Sequence, residues 1–220
     1  MKKSFQDWEE EELRLAFGLR KVRNHPLLLE WIQKDAPISQ KDYDDIDGLR
    51  IFASDRINFF NADELKFHFI APFVKIVNLF GERFSTFTQR PIEEKVKDIS
   101  GNEVNLCGIP DFFVAIGLQR PRQPFFFVKE YKPEQRGNND PLGQLTAAMI
   151  AAQHKNKVEF PLKGCYVLGR NWFFIILTPD GVYSVSDAFD STSDDIFQIF
   201  KILKNTKTEI ERLIEKYDFK

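Results

Sequence analysis

The apolar positions change their period along this chain, and the change marks where helices give way to strands. Residues 4 to about 20 place Leu13, Phe17 and Leu19 on one side of a helix that Ser4 is able to cap. His25-Pro26 interrupts it, and residues 27–33 form a short second helix. Residues 39 to about 60 read as a third, burying Ile46, Leu49, Phe52 and Ile57, with Gly48 as its weak point. Residues 61–80 carry a stronger stripe of Leu65, Phe69, Phe73, Ile76, Val77 and Phe80. Pro72 bends that helix and Gly81 stops it.

From Phe84 the texture becomes that of strands. Residues 90–99 and 104–116 flank Ser100-Gly101-Asn102, a hairpin turn, and residues 124–132 form a third strand ended by Pro133. Asp140 caps a helix that Pro141 opens and that runs to about His154. Its Ala147, Ala148, Ala151 and Ala152 make a face able to lie close on a sheet. Residues 164–168, 172–177 and 182–185 are strands. Thr192 or Ser193 then caps a last helix with Ile196, Ile199, Leu203, Ile210, Leu213 and Ile214 inward. The order predicts an α/β fold: a mixed central sheet flanked by helices over residues 61–220, preceded by a helical N-terminal extension over residues 1–60.

Composition narrows the function classes. At 220 residues and 43% apolar the chain is long enough to bury a sizeable core, which its 23 phenylalanines fill. A net charge of -2 gives no global pull toward nucleic acid, so any such binding needs a local basic patch. Cys107 and Cys165 lie far apart without metal-ligand spacing, which predicts reduced thiols in a cytoplasmic protein. The histidines, His25, His68 and His154, are isolated, against a zinc cluster. The acids Asp42, Asp44, Asp45 and Asp47 lack the spacing of a calcium loop and read as a solvated face. No apolar segment resembles a secretory signal or a membrane span.

Candidate chemistry centres on Gly108-Ile109-Pro110-Asp111 and on Glu130-Tyr131-Lys132, which closes the apolar run Pro124-Phe125-Phe126-Phe127-Val128-Lys129. Glu-x-Lys triplets also occur at Glu64-Leu65-Lys66 and Glu93-Glu94-Lys95, and a second Pro-Asp occurs at Pro179-Asp180. Pro179-Asp180-Gly181 reads as a turn. Glu64 and Lys66 fall at a helix start, where they point to different sides, and Glu93 to Lys95 lie in a charged strand without a buried face. Only Glu130 and Lys132 follow an apolar strand, sharing its alternating face with Phe126 and Val128. Ionisable groups beside such runs are costly unless paired or bound to metal.

In this order the residues resemble the PD-(D/E)xK nuclease superfamily, the restriction-endonuclease-like fold. The likeness is to the nuclease domain of type I restriction motor subunits and related bacterial proteins, over roughly residues 61–177. Glu64 on the first core helix, Pro110-Asp111, Glu130-x-Lys132 and Gln144 in the following helix occupy the pattern's places. The resemblance implies a Mg²⁺- or Mn²⁺-dependent nuclease acting on DNA. Asp111 and Glu130 would be its oxygen ligands, with the Tyr131 carbonyl as a third. Lys132 would hold the attacking water and stabilise charge on the phosphate. Glu64 would ligate through water or at a second metal, or close a capping box with Asn61, and the two roles are not exclusive. Gln144 would face a phosphate near a helix N-terminus, or bridge helix to sheet. His68 is placed to reach the site or to sit partly buried on its helix, and His154 to meet a helix C-terminal dipole.

Lys129, Arg136, Arg120 and Arg122 are the basic residues around the candidate site able to touch the DNA backbone, and surface solvation explains most of them equally well. A catalytically inactive member of the same fold, binding or scaffolding in a larger assembly, is the alternative. The N-terminal helices have apolar faces anchored by Trp8, Phe17 and Trp31. Packing on their own core is favoured over forming a homodimer, which would bring two sites to one duplex.

Overall fold

A computed structural model describes residues 2–131, 140–157 and 160–219, and of residues 128–131 the backbone alone. In chain order its elements are β1 (Lys2–Ser4), α1 (Glu10–Phe17), β2 (Arg20–Lys21), α2 (Pro26–Gln33) and α3 (Gln40–Arg56). A continuous helical stretch follows: α4 (Ala62–Leu65), a π turn (Lys66–Ile70) and α5 (Ala71–Val77). Then come β3 (Phe84–Thr88), β4 (Ile92–Lys97), β5 (Glu103–Gly108), β6 (Phe112–Ile116) and β7 (Pro124–Tyr131). The chain ends with α6 (Pro141–Asn156), β8 (Leu162–Leu168), β9 (Asn171–Leu177), β10 (Val182–Val185), β11 (Phe189–Asp190) and α7 (Asp195–Tyr217).

Two sheets form, and helices flank them as the α/β pattern requires. The larger runs in the order β2-β10-β9-β8-β7-β6-β3, with β11 beside β9, and the smaller is β1-β5-β4. The larger sheet is mixed: β7 and β8 are parallel across the α6 crossover, β10 and β2 are parallel, and the other pairs are antiparallel. Helix α6 packs on β7 and β8 of one sheet and on β4 and β5 of the other. That position explains why Ala147, Ala148, Ala151 and Ala152 are all buried: a helix covered on both sides is apolar or small around most of its circumference. On the other face α2 and α7 meet, and α7 buries Ile196, Ile199, Leu203, Ile210, Leu213 and Ile214, as its period predicts.

Several boundaries move for identifiable reasons. The expected strand 104–116 is two strands in two sheets, broken at Ile109-Pro110-Asp111, because Pro110 has no N–H for a ladder. The expected helix over residues 4 to about 20 is a 3-10 turn at Phe5–Asp7 followed by α1. Within the first 60 residues β1 pairs with β5 and β2 with β10, so the expected helical extension also contributes strands. Strands of two or three polar residues leave no period-2 signal to read. The stretch that Gly81 was expected to stop ends at Asn78, in the left-handed conformation (φ 59°) that asparagine tolerates. Phe80, expected on the buried stripe, is 43% exposed. The last helix starts at Asp195 after an N-cap Asp194 whose side chain makes no cap bond, and Ser193 Oγ accepts the Asp195 N–H at 3.1 Å instead.

The N-terminal segments share one hydrophobic core with the rest of the chain: Trp8 is 2% and Trp31 3% exposed, while Phe17 is partly buried. Trp31 makes edge-on contacts with Phe126 and Phe174, and its Nε1 donates to Thr206 Oγ1 at 3.0 Å. Asp140 fastens this arrangement at the start of α6. Its Oδ1 accepts the Leu142 N–H at 3.0 Å, capping its own helix, and its Oδ2 accepts the Glu10 N–H at 2.7 Å, serving α1. The two backbones come so close that a Cβ at Gly143 would lie 2.5 Å from Trp8 O and 2.9 Å from Glu10 N. Gly143→Ala is therefore expected to destabilise the fold by about 1–3 kcal/mol, read as a lower urea midpoint with unchanged slope. A variant as stable as the parent would show that the chain at Trp8 is not held against α6.

Candidate functional site

The segment that carries Asp111 is the bridge between the two sheets. β5 ends at Gly108, where an added Cβ would lie 2.4 Å from the Phe5 ring, so the ring seals the end of the small sheet. Four residues later Phe112 enters the large sheet between Thr88 of β3 and Val128 of β7. Asp111 stands just before that entry. Its side chain is 17% exposed, and its Oδ1 lies 3.7 Å from Lys66 Nζ, an ion pair too long to be a hydrogen bond.

Lys66 belongs to the first of the three Glu-x-Lys triplets, at the start of the π turn. Pro72 lacks an N–H and crowds the preceding turn, and the wide turn opens just before it, with the Ala71 N–H reaching back to Lys66 O. Sequence reasoning set this triplet aside because its acid and lysine point different ways. They do, and that divergence is what sends Lys66 toward Asp111. The usable signal was Pro72 six residues on, which predicts a distorted helix there.

Glu64 is exposed and makes the capping box. Its carboxylate accepts the Asn61 N–H at 2.7 Å, and Asn61 Oδ1 accepts the Glu64 N–H at 2.9 Å. It lines a shallow groove with Lys66, Phe67 and His68. His68 is exposed rather than partly buried, with its ring 5.5 Å from that of Phe60 and 5.2 Å from that of Phe67.

Asp111 is shared by two openings. On the α6 side a narrow gap of about 20 Å³ brings it together with Phe5, Pro110, Phe127 and Gln144. Gln144 is 5% exposed in the first turn of α6 and lines this gap with Asp111. On the other side a cleft of about 410 Å³ opens between α5 and the strands β3 and β6. The backbone of Glu130 pairs with Val167 on β8, at the same end of the β6–β7 ladder as Asp111. The side chains of Lys129, Glu130 and Tyr131, and all of Lys132 and Arg136, lie outside the described residues.

Two of the expected basic residues are elsewhere. Arg120 and Arg122 lie in the connection from β6 to β7, at the opposite end of the ladder from Asp111, about 20 Å away along a strand of this length. Being near in sequence to a strand says nothing about which end of it a residue occupies. Lys66 and Lys75 line the larger cleft with Asp111. His154 bonds Glu94 through Nδ1 at 3.1 Å. The acidic face of α3 pairs with its own neighbours, Lys41 with Asp45 and Arg50 with Asp47. Both cysteines are free, and burial pushes the Cys165 thiol well up.

Among the described residues no three His, Cys, Asp or Glu side chains gather as a metal site, and no helix is long and apolar enough to cross a membrane. Asp111 is a hard oxygen donor of the type Mg²⁺ takes, and the side chain of Glu130, the other carboxylate expected with it, lies outside the described residues. Comparison with known proteins finds no matching family model and no matching curated protein.

The capping box separates two roles for Glu64. Glu64→Gln preserves both bonds and is expected to leave the urea midpoint nearly unchanged, whereas Asn61→Ala costs about 1 kcal/mol. A loss for Glu64→Gln as large as for Asn61→Ala would show that its charge, not its cap, matters to the fold.

Proposed function

We propose that this protein is a metal-dependent nuclease that hydrolyses phosphodiester bonds in DNA, built on a restriction-endonuclease-like core. The observation that carries the reading is Asp111. It is a largely buried carboxylate at the joint between two sheets, opening on one side to Gln144 of α6 and on the other to a cleft with lysines. The strand it leads into, β6, adjoins β7, whose end carries Glu130 and Tyr131.

In this reading Asp111, Glu130 and the Tyr131 carbonyl hold a Mg²⁺ or Mn²⁺, which supplies Lewis-acid chemistry at the phosphate. Lys132 holds the attacking water and offsets the negative charge that builds on the phosphate oxygens. Gln144, beside the N-terminus of α6, orients the phosphate. Lys66 keeps the Asp111 carboxylate in place and adds positive charge on the cleft side. Glu64 serves the helix cap first, and any part in metal binding is through water.

A catalytically inactive member of the same fold, acting as a binding module, is the second reading. The near-neutral charge and the use of Glu64 in the capping box favour it. Cleavage of supercoiled, linear and single-stranded DNA with Mg²⁺ or Mn²⁺ separates the two. Asp111→Asn and Lys132→Ala are each expected to lower the rate by about 10²- to 10³-fold, with unchanged circular dichroism. Cutting at the parental rate by Lys132→Ala would remove that lysine from the mechanism, and no cutting of any substrate with either metal would favour the binding module.

A further inference from the structure

The cleft of about 410 Å³ beside Asp111 is not needed to hold a phosphate, and its chemistry is not that of a phosphate site. Ile70 and Val74 wall it from the helix and Phe112 from the sheet, with Phe80 at the open side. The sheet wall is open because of how β3 is written. Phe87 stacks on Phe113 at 5.7 Å, toward the core, so its neighbours Thr86 and Thr88 turn to the α5 side and put hydroxyls where an apolar side chain would have closed the gap. Lys66 and Lys75 stand on the helix wall, and Asp111 at one end.

We infer that this cleft receives an unstacked nucleobase, so that the DNA handled by the site is single-stranded next to the reacting phosphate; this rests on the nuclease reading. Apolar walls suit the faces of a planar ring, and a volume in the range of small-ligand pockets, about 300–1,000 Å³, admits one. Threonine hydroxyls both donate and accept, so they satisfy the edge of any base without choosing among them. The lysines neutralise the phosphates on either side, the combination of stacking surface and cation that strand-binding proteins use. Lys66 and Ala71 also line the neighbouring groove, where Phe67 is 75% exposed, so a second stacking surface continues the track along the helix.

The test uses the full chain and 12-nucleotide single-stranded DNA carrying 2-aminopurine at successive positions, in EDTA so that nothing is cut. Binding is read by anisotropy and base environment by 2-aminopurine emission. One position is expected to change emission on binding. Ala71→Glu, which puts a negative charge at the mouth from an exposed helix position, and Phe80→Ala, which removes a wall, should each abolish that change. Both should weaken binding about 10-fold, with unaltered circular dichroism. Binding with no emission change at any position, duplex bound as tightly as single strand, or no binding at all would each overturn the inference. DNA cutting without the emission change would leave the nuclease reading standing while sinking this one. An emission change without cutting under either metal would keep the base cleft and sink the nuclease.

Discussion

The carboxylate of Asp140 holds two helix starts at once, and the rest of the architecture depends on it. A helix begins with N–H groups that have no internal partner, and here one side chain satisfies such groups on both α6 and α1. The shared cap fixes how close the two backbones come, and only a glycine at position 143 permits the contact with Trp8. Through α1 and the turn before it, the N-terminal residues are drawn over α6. Through α6, both sheets are held on opposite sides of a single buried helix. Pro141 and Asp140 are ordinary helix-opening residues by themselves; the second oxygen makes them architectural.

That arrangement brings the site's parts together from distant segments. Phe5 arrives with the N-terminus and closes the end of β5 at Gly108. Gln144 arrives one turn into α6. Lys66 arrives from a helix whose regular winding is broken by Pro72. Asp111 stands where these meet because the chain leaves one sheet and enters the other there, and a crossing of this kind exposes a polar side chain to two different surroundings at once.

The sequence made most of the fold legible and only part of the site. Long elements with a clear period, α7 and β7 to β9, were readable because each buries a face defined by its own local pattern. Asp140-Pro141 was readable because capping chemistry is local. The two-sheet split was not, since 104–116 is apolar enough to pass for one strand and only Pro110 marks the break. Pro110, Asp111 and Gln144, which the pattern groups by their order along the chain, line one narrow gap. Lys66 was missed because its significance depends on a helix distortion and on a partner 45 positions away, neither of which a triplet motif encodes. Arg120 and Arg122 were placed at the wrong end because a linear reading has no sense of strand direction.

The pairing of β1 with β5 joins residues about a hundred positions apart, Lys2 with Asn105 through Ser4 with Cys107. Such a contact closes a very large loop, and closing it is slow compared with forming a hairpin such as β4–β5. The contact of Phe5 with Gly108 follows from that pairing, so the bridge bearing Asp111 takes one of its walls from a segment about a hundred positions away, and its shape depends on closing that loop as well as on local packing.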